Sequence, residues 1–156
     1  MKSKRGILNI LLDTSFILPS LGIDTGKEVT QCLKKLAAIK SEIHFSSFSI
    51  LESLWIMTRL LRTTDFNTEH FNIGLRSVLE SGRYKKTEEN SEIFNEALRL
   101  FMMGHKDMID NILYASSTHL NLKLLTLDTE LKEFIREKRL NDTLMFPNQI
   151  ALTPNA

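Results

Sequence analysis

Two short apolar runs, each ending on an acid, constrain this chain more than any other feature. The first lies in Gly6 to Leu18, GILNILLDTSFIL, where a β-type run delivers a single carboxylate, Asp13, into the hydroxyl pair Thr14 and Ser15. The second, Leu122 to Leu127, passes Thr126 and ends on Asp128, and a helical stretch from Thr129 to Lys138 follows it. An apolar run of this length followed by turn or helix chemistry reads as a strand buried on both faces of a parallel sheet. Asp13 then stands at a strand's carboxyl end, the edge of an open α/β sheet where ligands bind. An Asp there also caps the helix that follows, so position alone leaves both roles open.

The stretches between these runs alternate in the same way. Apolar residues recur at helical spacing over Lys27 to Ile39, Ser47 to Arg62, Thr68 to Glu80, Glu89 to Met103 and Asp107 to Leu120, with Gly104 as a left-handed stop. Glu42 to Phe45 and Thr143 to Phe146 read as further strands, and Arg83 to Lys86 as a basic link with room for one more. Strands alternating with helices predict a parallel sheet with crossover helices in one domain over 1–156, its core within about 7–146. Hydrophobic content of 42% against 25% charged residues supplies a core for that size.

Two helices carry specific expectations. In Ser47 to Arg62 the apolar residues cover most of the circumference, which predicts burial on nearly all sides, with Glu52, Arg59 and Arg62 on a narrow polar stripe. Trp55, Met57 and Leu61 would anchor either a second copy of the chain or the neighbouring helix Thr68 to Glu80. A carboxylate in such a helix needs compensation, either from an arginine ion pair or from a cation. In Asp107 to Leu120, residues such as Met108, Ile109, Leu113 and Leu120 are expected inside, with Asp107, Asp110, Asn111 and Tyr114 on another side.

A net charge of +1 provides no global basic field, so nucleic-acid binding would need a local patch. The single cysteine, Cys32, falls in a helical pattern and reads as a buried small hydrophobe in a reducing compartment. Lys2, Lys4 and Arg5 before an apolar run imitate a signal peptide, but Asp13 interrupts the run and no small-residue cleavage site follows. The expectation is a cytoplasmic protein without a membrane span.

Asp13 and Asp128 end strands, while Glu52 and Asp110 lie on helices expected beside them. Four clustered carboxylates raise one another's pKa and cost stability unless a cation joins them. All are oxygen donors with no zinc spacing of Cys or His, so Mg²⁺ or Mn²⁺ fits. His44, His70, His105 and His119 are scattered and are not expected to be ligands; His105 is the nearest case because it sits beside Asp107. Hydroxyls of Thr14, Ser15 and Thr126 would orient the carboxylates or simply cap helices.

The stretches LLDTSFIL at Asp13, SSFSILES at Glu52, DMIDNILYASS at Asp110 and LLTLDTELKEF at Asp128 together resemble the PIN-domain family, which includes ribonuclease toxins of the VapC kind. The resemblance runs from Ile7 to about Phe146. It implies a three-layer α/β/α fold with a central parallel sheet and a Mg²⁺- or Mn²⁺-dependent ribonuclease acting on single-stranded RNA. Asp13, Glu52, Asp110 and Asp128 would be catalytic and metal-binding, and Arg59 a candidate RNA contact. A homodimer and an antitoxin protein partner are implied in the same way. Asp107 departs from the pattern as an additional acid that competes with Asp110 for the third position. A carboxylate-held divalent ion would activate water for attack on a phosphodiester and stabilise the leaving oxygen.

Other Asp-centred α/β enzymes fit less well. A haloacid-dehalogenase-type phosphotransferase needs a second Asp where Ser15 stands, a receiver domain needs paired acids after its first strand, and no P-loop is present. The alternative from another class is a PIN-like domain that binds RNA or protein without cleaving.

Overall fold

The computed structural model describes residues 6–150, so Lys2, Lys4 and Arg5 and the tail from 151 lie outside the described residues. Among the described residues five strands are present: β1 (Leu8–Leu12), β2 (Ser41–Phe45), β3 (Lys85–Lys86), β4 (Lys123–Leu125) and β5 (Leu144–Met145). Seven α-helices connect them: α1 (Thr14–Ile17), α2 (Lys27–Ala38), α3 (Ser47–Thr63), α4 (Thr68–Glu80), α5 (Ser91–Met103), α6 (Met108–His119) and α7 (Thr129–Glu137). Every strand pairing is parallel, in the order β3-β2-β1-β4-β5.

Alternation along the central strands sets up three layers. Ile10 and Leu12 of β1 and Leu125 of β4 enter one core with Phe16, Val29, Leu36 and Phe71, which come from α1, α2 and α4. Leu11 and Leu124 point the other way, into a core with Leu100, Leu113, Leu131 and Ile135 from α5, α6 and α7. The fold is therefore a three-layer α/β/α sandwich. In β1 only Ile10 to Leu12 are fully buried, while Leu8 is half-buried and Asn9 exposed, so two-sided burial begins where β4 pairs alongside.

The chain leaves β1 towards β2 and β3 on one side and later returns to β4 and β5 on the other. The strand order therefore switches at the β1/β4 junction, and the crevice beyond the carboxyl ends of those strands is the ligand position of such sheets.

Helix α3 departs from the expected burial on nearly all sides. Its inward stripe is the small and flexible set Ser49, Ser53 and Met57, whereas Leu51, Leu54, Trp55 and Leu61 are exposed. Small side chains let this helix lie against α1 and α6. Helix α4 does not cover the exposed apolar face, because it packs instead on the 3-10 turn Leu18–Leu21. There Gly74 comes so close that an added Cβ would stand 2.0 Å from the Ser20 carbonyl oxygen.

Helix α6 departs in the opposite sense. Asn111 and Tyr114, grouped with Asp107 and Asp110 on a side apart from the apolar residues, are buried, while Met108 and Leu120, expected inside, are exposed. Burial is satisfied by polar partners: the Tyr114 hydroxyl donates to the Asn141 carbonyl at 2.5 Å, and Ser117 Oγ lies 2.6 Å from Thr143 Oγ1. Sandwiched between α5, α3 and the sheet, α6 is the central helix of its layer.

Candidate metal centre

Asp13 follows β1 directly, and its backbone N–H donates to the Leu125 carbonyl of β4 at 3.0 Å, which ties the first strand's exit to the switch-point neighbour. Its Oδ1 accepts from the Thr14 N–H at 2.6 Å, capping α1, and its Oδ2 accepts from Thr126 Oγ1 at 2.8 Å. Thr126 Oγ1 in turn accepts from the Asp128 N–H at 3.0 Å. One buried hydroxyl thus joins the two strand-end acids. Asp128 caps α7 through Oδ1, and Asp107 caps α6 through Oδ1, which accepts from the Asp110 N–H at 3.0 Å.

Capping is therefore real for Asp13, Asp107 and Asp128, yet it uses only one oxygen of each carboxylate. Asp110 and Glu52 cap nothing. Glu52 makes no ion pair with Arg59 within 4.0 Å among the described residues, which removes the arginine explanation for its presence, although the Arg59 charge favours its ionised form. The Ser15 hydroxyl makes no hydrogen bond to these acids among the described residues; its carbonyl accepts from Thr25 Oγ1.

The carboxyls sense one another. Burial raises Asp13 to about 6 against the hydrogen bonds from Thr126 and Thr14, and the charges of Glu52 and Asp128 push the same way. Asp110 is pushed up to about 9, first by burial, then by the charges of Asp13, Asp107 and Asp128. Burial also raises Glu52, with the Asp107 charge adding to it and the adjacent Thr14 hydroxyl opposing it. Glu89, a further acid near the carboxyl ends of β2 and β3, stands apart: Ser46 and Thr87 hydroxyls donate to its Oε1 at 2.6 and 2.7 Å, and it serves as a structural clamp.

The structure also brings in a residue set aside on sequence grounds. Ligand atoms of His105, Asp110 and Asp128 all lie within 4.8 Å of one another. The signal for His105 in the sequence was faint, only its place between Gly104 and Asp107. Around these groups run two adjoining hollows of about 590 and 600 Å³ that share Lys106 and Asp107. The first is lined by Glu52, Trp55 and Arg59, the second by His105, Asp110, Asp128 and Glu130.

The donor set suits a hard divalent cation. Carboxylate oxygens converge, burial and then neighbouring charges raise the pKa values of Asp13, Glu52 and Asp110 in a way a cation would relieve, and Thr14 Oγ1 is buried beside Glu52 without a hydrogen-bond partner. Raised carboxyls in a crevice at a switch point make this the candidate site of the molecule.

Comparison with known proteins agrees with this geometry. A family model, PIN domain, matches residues 10–137. The chain belongs to the PIN-domain family. PIN domains are nucleases that use divalent metals. Among solved structures, this PIN domain resembles VapBC2 from Rickettsia felis bound to a DNA fragment from its promoter, with TM-score 0.61, 14% identity, and coverage of 89% of this chain and 98% of that one. VapBC-1 from nontypeable Haemophilus influenzae gives TM-score 0.57 and 16% identity, over 90% of this chain and 99% of that one. A toxin-antitoxin complex from Klebsiella pneumoniae gives TM-score 0.55 and 17% identity, over 88% and 97%. At these identities the likeness speaks for the fold. No curated protein matches the sequence.

Proposed function

We propose that this PIN domain is a metal-dependent endoribonuclease for single-stranded RNA, acting as the toxin of a toxin-antitoxin pair. The observation that carries the reading is the linkage of Asp13 and Asp128 through Thr126 beside Asp110 and Glu52 at the β1/β4 crevice, where neighbouring acids add to the burial that raises Asp13 and Asp110.

Asp13, Asp110 and Asp128 would hold the ion, with Glu52 and Asp107 on the side of the first hollow. A bound Mg²⁺ or Mn²⁺ supplies positive charge to the phosphate and lowers the pKa of a water for attack. Thr126 holds the Asp13 carboxylate through Oδ2 and the Asp128 backbone through its N–H, which fixes where the two acids leave their strands. Arg59 and Lys106 line the same hollow as Glu52 and would hold the RNA backbone by charge. No side-chain nucleophile is needed for this chemistry.

The toxin assignment is supported by the company of the fold, since the solved neighbours are toxin-antitoxin assemblies. The exposed apolar face of α3 offers a surface for a second copy of the chain, and an antitoxin protein is the partner implied by the same company. Incubating the protein with a mixed single-stranded RNA pool, with Mn²⁺ or with chelator, tests the reading. Cleavage in Mn²⁺ that vanishes in chelator and in Asp110→Asn is the expected result. Retained RNA binding with no cleavage under any divalent ion would instead favour the non-cleaving alternative.

A further inference from the structure

We propose that His105 is a nitrogen ligand of this metal centre and that it biases the site towards Mn²⁺ over Mg²⁺. The inference rests on the metal-site reading above and adds a ligand that the acidic motifs do not contain. Its starting point is a fixed backbone. Gly104, at φ 119, closes α5 in a Schellman turn, with the Gly104 N–H on the Phe101 carbonyl at 3.0 Å and the His105 N–H on the Leu100 carbonyl at 3.1 Å. The imidazole therefore leaves the main chain from a defined point in the lining of the second hollow.

The ring is then oriented twice over. It packs on Phe134 with centroids 5.1 Å apart, and its Nδ1 lies 2.7 Å from Asn111 Oδ1. Asn111 is wholly buried, and its Nδ2 donates to the His105 carbonyl at 2.8 Å. That second bond assigns the amide: the nitrogen faces the carbonyl, so the oxygen faces the ring. Nδ1 must then carry the proton and donate to Oδ1, which leaves the Nε2 lone pair free. A histidine that donates one ring N–H to a buried carbonyl oxygen while offering the other nitrogen has the arrangement found behind metal-binding imidazoles.

Distance completes the case. A ligand atom of His105 lies within 4.8 Å of carboxylate oxygens of both Asp110 and Asp128. Ligands of a single ion at about 2.1 Å stand about 3 to 4.2 Å apart, so small side-chain shifts close the three around a cation. Mg²⁺ favours oxygen donors, whereas imidazole nitrogen strengthens binding of Mn²⁺ and later divalent ions more than that of Mg²⁺.

The test uses the full chain, metal-free after chelation and then loaded with Mn²⁺. Electron spin-echo modulation at the ¹⁴N frequency is expected from bound Mn²⁺ in the wild type and is expected to be lost in His105→Ala. Calorimetric titration should show His105→Ala weakening Mn²⁺ by about tenfold or more and Mg²⁺ by less than about threefold. A melting temperature in chelator that matches the wild type verifies the fold of the variant, and His105→Asn serves in its place if the alanine form is unstable. If the wild type binds Mn²⁺ and Asp110→Asn abolishes binding, but no nitrogen coupling is seen and His105 variants bind as tightly, His105 is not a ligand and the acidic centre stands. If the wild type binds no divalent ion at all, the metal-site reading and this inference fall together.

Discussion

At the residue scale, Thr126 has the most leverage for its size. Its hydroxyl donates to Asp13 and accepts from the Asp128 N–H, so Thr126→Val leaves a buried N–H unpaired and removes a donor that favours the Asp13 carboxylate. A loss of about 1–3 kcal/mol in denaturant unfolding is expected, with Thr126→Ser recovering most of it. Asp13 separates charge from capping: Asp13→Asn keeps an acceptor for the Thr14 N–H and should be at least as stable as wild type in chelator, whereas Asp13→Ala should lose about 1 kcal/mol. Equal losses in both variants would show that the carboxylate charge carries no strain. Because the carboxyls of Asp13 and Asp110 hold protons more tightly folded than unfolded, their contribution to stability is complete below about pH 4. It is lost as pH climbs through about 6 for Asp13 and about 9 for Asp110. In chelator, the melting-temperature advantage of Asp110→Asn over wild type should therefore widen from pH 5 to pH 9; a constant gap would contradict the raised pKa. The strand-end acids were legible because an apolar run with one carboxylate at its end is a local pattern. His105 was not, because its place depends on a left-handed turn and on an amide six residues further along the chain.

At the scale of elements, helices and strands followed from period and from punctuation, and the sheet from their alternation. Which face of a helix is buried did not. In α3 the apolar side chains outnumber the serines, so periodicity favours the wrong stripe, and only close packing against α1 and α6 selects Ser49 and Ser53 for the interior. In α6 the reverse happens, since Asn111 is taken inside by the turn at His105 and Tyr114 by the Asn141 carbonyl, 27 residues further on. The seat of α4 on the turn Leu18–Leu21 was equally invisible, because nothing about Gly74 reports what lies 2.0 Å from an absent Cβ. Gly74→Ala must displace main chain there, and despite its better helix propensity it should cost about 1–3 kcal/mol. A neutral or stabilising result in a urea titration would mean that α4 stands off the turn in solution.

At the scale of the whole molecule, the apolar face of α3 is the surface proposed above for a second copy of the chain. Trp55 is 54% exposed and Leu61 49%, and neither α4 nor any other described element covers them. Sedimentation equilibrium at micromolar concentration is expected to return twice the chain mass for wild type and one chain mass for Trp55→Lys; a wild-type monomer would remove α3 as a self-contact. A second property of the whole molecule follows from the bond between Thr126 and Asp13, whose residues are 113 apart in sequence. β1, the central strand, is made first, yet its β4 side stays unpaired until residues 123–125 exist. At about 5–20 residues per second, synthesis holds Asp13 without its partner for roughly 6 to 23 s. With the ribonuclease activity proposed above, a ribosome-bound chain would be harmless to the RNA that encodes it until β4 has been made. Chains broken off before β4 would carry a bare strand edge instead of a nuclease centre, and proteases rather than an inhibitor would be their natural fate.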